Sequence, residues 1–113
     1  MKKEKINFED FDKIEFKLGI IKECFKHPNA DRVLVFKVDV GEEQPRQIIS
    51  SIAEFYNPDE VINKRVVVVT NLKKAVFRGM ESDGMLMCAS LPDDEDVELL
   101  TITKDFEAGT IVD

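Results

Sequence analysis

A chain of 113 residues has room for one hydrophobic core, and 43% apolar against 35% charged residues suits a single well-solvated globular domain. No apolar run approaches the roughly 20 residues of a membrane-spanning helix. The basic start MKKEKINFED is not followed by the apolar stretch of a secretory signal, so the expected setting is the cytoplasm, away from the membrane. The net charge of −7 argues against a polyanion partner over the whole surface, but the charge is unevenly spread. Residues 1–60 hold 10 basic and 13 acidic side chains. Residues 61–80 hold Lys64, Arg65, Lys73, Lys74 and Arg78 with no acid, and residues 81–113 hold Lys104 against 10 acids. One positive segment on an acidic body can hold an anion on one face while the rest repels it. Cys24 and Cys88 are far apart in apolar, strand-like settings and read as buried thiols of a reducing compartment, not as a disulfide.

Along the chain, Phe8, Phe11 and Ile14 have the spacing of a short amphipathic turn with Asn7 at its start. Phe16 to Phe25 reads as a long first strand bent at Gly19. His27-Pro28-Asn29-Ala30-Asp31 is a turn, Val33 to Val40 a second strand, and Gln47 to Ser50 a third. Ser51 and Glu54 have the spacing of a capping box for a short helix through Tyr56, and Pro58 to Ile62 forms another helical turn ending at Asn63. Lys64 to Thr70 is the fourth strand, Met85 to Ser90 the fifth and Glu98 to Thr103 a short sixth, after the acidic loop Leu91–Val97. There is no repeat or linker. Short strands broken by turn residues and one small helix predict an all-β, closed Greek-key barrel. By alternation Phe25, Phe36, Phe55 and Tyr56 belong to the core; Phe77, between cations, belongs either there or against an exposed base.

The segment from Asn71 to Gly84 carries the chemistry. It reads as a loop leaving an apolar strand, displaying Lys73, Lys74 and Arg78, and turning at Ser82-Asp83-Gly84. Cations on a stiff base suit phosphate contacts better than bond-making chemistry. Asn71 and Ser82 flank the cations and either donate hydrogen bonds to phosphate or 2′-hydroxyl oxygens or simply cap turns. Catalysis has no candidate set. His27 is the only histidine, and with Cys24 and Asp31 it falls short of the four ligands zinc wants, so it reads as part of a structural turn. Asp93 to Asp96 lack the spacing of a calcium loop and are expected to be solvated. No metal or cofactor is expected.

Five blocks in one register carry a family resemblance: FDKIEFKLG at 11–19, HPNAD at 27–31, VDVGEEQPR at 38–46 leading into IISSIA, YNPDEVINKRVVVVTNLK at 56–73, and N-L-K-x-x-x-x-R-G-x-x-S-x-G-M-L from Asn71. Together they resemble the tRNA-binding OB domain found at the C-terminus of many methionyl-tRNA synthetases, in free-standing tRNA-binding proteins and in the export-related chaperone CsaA. The family often has Pro and Lys where Lys74 and Val76 stand, so one cation is displaced by two positions. The resemblance implies an OB-fold barrel with small terminal extensions. Residues 1–113 would form one domain, with a barrel core about 14–90 and a C-terminal extension, 91–113, used in dimerisation. It implies a non-catalytic, structure-selective tRNA-binding module, free-standing as a homodimer or associated with an aminoacyl-tRNA synthetase. The alternative it carries is a CsaA-like chaperone holding unfolded polypeptide. In an OB groove Arg46 and Ser50 would join Lys73, Arg78, Lys74, Asn71 and Ser82 as RNA-binding candidates.

Overall fold

Strands form where β-branched and apolar residues run together. In the computed structural model, which describes residues 2–113, they are β1 (Phe16–Lys26), β2 (Leu34–Asp39), β3 (Arg46–Ser50) and β4 (Arg65–Val69). The chain then adds β5 (Ala75–Phe77), β6 (Met80–Ser82), β7 (Met85–Leu86), β8 (Cys88–Ser90), β9 (Val97–Leu99) and β10 (Ile111–Val112). The main sheet runs β3-β2-β1-β4-β7, antiparallel throughout, with β10 alongside the start of β1. Its two edges meet: Asp83 N–H donates to Gln47 O at 2.8 Å and Ile49 N–H donates to Ser82 Oγ at 2.9 Å. Those bonds bring the edge beyond β7 back to β3 and leave a nearly closed barrel, the expected OB architecture.

β1 makes this closure possible because it pairs with β4 over its first half and with β2 over its second. Gly19 sits where the two halves cross. A Cβ there would lie 2.5 Å from Val38 Cγ1 and 2.8 Å from Val68 Cγ2, so only glycine lets the strand pass so close. Inside, Ile21, Phe36, Val38, Ile48, Val66 and Val68 are fully buried, and Leu86, Val97 and Leu99 complete the core. β9 and β10 are thus joined to the barrel, β9 by pairing with β8 and by Leu99 N–H donating to Tyr56 Oη at 3.0 Å.

Several expectations need correction. Residues 51–56 are not a helix. Ile52 is buried in the core, Ala53 N–H donates to Arg32 O at 3.2 Å, and Glu54 pairs with Arg32 at 2.7 Å instead of reaching back to Ser51. The reach-back occurs one step on: Glu60 accepts from Asn57 N–H at 2.6 Å and starts the 3-10 turn Pro58–Val61. Asn7 precedes the short helix α1 (Phe8–Phe11), but its side chain makes no capping bond. The fifth strand changes partner at Met87, pairing first with β4 and then with β9, and so divides into β7 and β8. The sixth is Val97–Leu99, with Thr101 bridging only to Val66. Phe25 is 38% exposed because a bulge between Ile21 and Glu23 shifts the alternation of β1 and turns Cys24 inward.

Candidate nucleic-acid interface

Residues 71–84 are not a plain loop. β5 and β6 form a hairpin with register Ala75↔Ser82, Val76↔Glu81 and Phe77↔Met80, joined by the two residues Arg78 and Gly79. Both have positive φ, 50° and 88°, the mirror-image turn that matches strand twist. Asn-Gly is the usual sequence for such a turn; Arg-Gly is a rare one, so the sequence does not announce it. The hairpin is not held by burial. All of β5 is exposed, and Val76 and Phe77 are 67% and 40% exposed, which leaves Phe77 out of the core.

Polar pins hold it instead. Arg46, at the start of β3, donates through Nη1 to Thr70 O at 2.6 Å, just before the segment, and to Asp83 O at 3.4 Å, just after β6. Its Nε and Nη2 clasp Glu42 Oε1 and Oε2 at 2.8 and 2.7 Å. That clasp holds the Glu42 carboxyl below its usual value and raises the already high value of Arg46. Four of the five guanidinium N–H groups are therefore engaged, on a side chain only 15% exposed. Asn71 Oδ1 accepts from Glu15 N–H at 2.8 Å and its Nδ2 donates to Lys13 O at 2.6 Å, tying the segment to the chain that precedes β1. Ser82 is buried; its Oγ accepts from Ile49 N–H and donates to Gly84 O at 3.1 Å. Two residues absent from the sequence candidates extend this frame. Lys37 Nζ donates to Gln47 Oε1 at 2.7 Å, and Gln47 Nε2 donates to Glu81 O at 2.8 Å, linking β2, β3 and β6. Cross-strand placement of Lys37 opposite Gln47 was the signal that could have found them.

The seven candidates therefore divide by environment. Arg46, Asn71 and Ser82 have their polar atoms engaged within the protein. Lys74 lies 3.7 Å from Glu81, an acid brought beside it by the hairpin although seven positions away in sequence. Lys73 and Arg78 are exposed, and among the described residues neither forms an ion pair. Ser50, at the far end of β3, lines a different cleft of about 390 Å³ with Ile52, Met85 and Leu86. A polar cleft of about 610 Å³ lies between β3 and the hairpin, walled by Gln44, Arg46, Lys74 and Glu81. Among the described residues no three His, Cys, Asp or Glu side chains are placed to hold a metal ion, and no helix is long and apolar enough to cross a membrane. Lys73 just before the hairpin and Arg78 at its tip thus stand beside β3 and the β1–β2 connection, without an ion pair among the described residues.

Known proteins resemble this chain in sequence and in fold. The methionine–tRNA ligase of Pyrococcus horikoshii is 41% identical over 109 residues, which is 96% of this chain and 15% of that enzyme. The ligase of Listeria monocytogenes is 48% identical over 82 residues, 73% of this chain and 12% of that one, so the chain spans only a small part of these relatives. Among solved structures, the MetRS-related protein of Pyrococcus horikoshii superposes with a TM-score of 0.89 at 31% identity, covering 97% of this chain and 99% of that one. The chaperone CsaA of Bacillus anthracis superposes at 0.87 with 25% identity, covering 97% and 100%. The family model described as "Putative tRNA binding domain" matches residues 16–111, and the chain belongs to that family.

Proposed function

We propose that this domain is a non-catalytic module that grips folded tRNA by its phosphate backbone, with Lys73 and Arg78 as the contacts that meet phosphate. The observation that carries the reading is the pairing of family membership with two exposed cations, Lys73 just before the hairpin and Arg78 at its tip, that form no ion pair among the described residues. Backbone contacts of this kind give affinity without base specificity, so selection of tRNA rests on shape. Lys74, beside Glu81, is a secondary contact; Arg46, Asn71 and Ser82 act by fixing the segment, and Ser50 lies outside the contact. Filter binding of folded tRNA against an unstructured RNA of equal length tests the selectivity. A clear preference for tRNA is expected, and equal affinity would reject it.

The reading includes a cytoplasmic homodimer, or attachment to an aminoacyl-tRNA synthetase. Its support is the apolar surface near the two termini: Phe8 is 72% exposed, Ile111 61% and Phe106 49%. Two modest sites on one dimer would bind one tRNA more tightly than either alone. Light scattering at micromolar concentration should return twice the chain mass, and a monomer would refute the dimer. One observation favours a second reading, the holding of unfolded polypeptide: an apolar cleft of about 330 Å³ lined by Ile14, Phe16, Val69, Leu72, Met85 and Met87. It predicts that Leu72→Ser weakens binding of an unfolded protein while tRNA binding is kept.

A further inference from the structure

We infer that His27 is a positioning residue: a latch that holds the tip of the cationic hairpin against the β1–β2 turn, and so fixes Arg78 for RNA. The inference rests on the tRNA-binding reading for its purpose, though not for its geometry. His27 is 4% exposed, at the end of β1. Asn29 N–H donates to its Nδ1 at 3.0 Å, so that nitrogen is an acceptor and the ring proton sits on Nε2. Nε2–H then donates to Phe77 O at 2.8 Å, across fifty positions of sequence, to the residue just before the Arg78-Gly79 turn. One neutral imidazole thus joins the two connections that flank the barrel's β2–β3 face.

The hairpin needs such a bond. A two-stranded hairpin is marginal on its own, and this one has no buried apolar side chain; Ser82 is its only buried residue. The root is clamped by Arg46 and the flank by Gln47 and Ser82, yet none of these reaches the tip. The tip also carries Arg78 at a φ of 50°, a conformation costly for a residue that has a Cβ. His27 supplies the missing restraint and, with it, the width of the cleft of about 550 Å³ between Ala30–Val33 and Val76–Arg78. A cation held in place loses less freedom on meeting a phosphate than one on a fraying tip, so the latch acts on affinity through Arg78.

The test separates the two ring nitrogens. His27→Asn keeps an acceptor for Asn29 N–H but is too short to reach Phe77 O; His27→Gln keeps a donor long enough for Phe77 O. Well below each variant's melting midpoint, His27→Asn should speed amide exchange at Arg78–Met80, leave β1 and β4 protected, and weaken tRNA binding roughly three- to tenfold, the loss of one buried hydrogen bond. His27→Gln should recover most of both. Because the chain has a single histidine, the imidazole nitrogen spectrum of the unmodified protein needs no assignment and should show the neutral Nε2–H tautomer. A ring protonated on Nδ1, unchanged exchange at the tip, or equal tRNA affinity in wild type and His27→Asn would each overturn the latch. If the wild type itself fails to bind tRNA, the RNA reading falls, and exchange at the tip alone decides whether the latch stands.

Discussion

Lys74 and Glu81 face one another across the hairpin, Nζ and Oε2 3.7 Å apart, both more than 60% exposed. The pair lowers the charge this lysine offers to an incoming phosphate. Exposed ion pairs are weak, so the effect is modest but has a definite sign. Glu81→Gln should strengthen tRNA binding by about two- to threefold at low salt, and Lys74→Ala should weaken it less than Lys73→Ala does. Fluorescence anisotropy with labelled tRNA measures both. A Glu81→Gln protein that binds more weakly would show that the acid is needed in the frame.

Arg46 should matter first to stability. Its side chain links Glu42 to the carbonyls of Thr70 and Asp83, so Arg46→Ala leaves partly buried acceptors without partners and should cost about 2 kcal/mol. Arg46→Lys should recover little, because an ammonium cannot reproduce the planar fork. The Glu42 carboxyl, held below its ordinary 4.5 by this hydrogen bond, contributes stability that is present above that value. As pH falls through the lowered value the carboxylate protonates and the contribution is lost. Since Glu42 is well exposed, the loss is small. Urea midpoints should show the gap between wild type and Arg46→Ala narrowing on the acid side, and a gap that widens there would contradict the assignment.

The barrel could be read from the chain because its strands are built of β-branched runs whose alternation and turn residues agree. Lys64–Thr70 became Arg65–Val69, and Val33–Val40 became Leu34–Asp39, each shortened at its ends. What could not be read depended on long-range partners. Ser51 and Glu54 have capping-box spacing, yet Arg32 draws Glu54 away and the core draws in Ile52. The hairpin at 75–82 escaped notice because its turn is Arg-Gly and its strands are exposed, so neither turn chemistry nor a buried face marks it. The site was legible as a cationic segment, whereas its division into free cations and pinned polar groups was not. A sequence count found no acid among residues 61–80, but folding places Glu81 beside Lys74 and leaves Lys73 and Arg78 free of any ion pair among the described residues.

Burial pushes the Cys24 thiol up to about 11 and raises that of Cys88 as well. Both are free thiols. Thiolate is the reactive form, so native protein at neutral pH should alkylate with iodoacetamide far more slowly than urea-unfolded protein. The fold favours the neutral Cys24 thiol. Its contribution is complete below the ordinary value of 9.0 and is lost as pH rises from there through about 11. Cys24→Ser should therefore flatten the alkaline limb of the stability profile. Alkylation of the native protein at the rate of a free cysteine would contradict this.

The central claim is that Lys73 and Arg78 meet the phosphates of tRNA. The most direct measurement is the tRNA dissociation constant of wild type, Lys73→Ala, Arg78→Ala and the double variant over a range of salt concentrations. Each single change should weaken binding and reduce the slope of log affinity against log salt by about one unit, with the double variant losing about two. Circular dichroism melts should stay near wild type for Lys73→Ala, whose side chain is exposed. Unchanged affinity and slope in the double variant, with wild type binding tRNA, would place the RNA site elsewhere on the barrel.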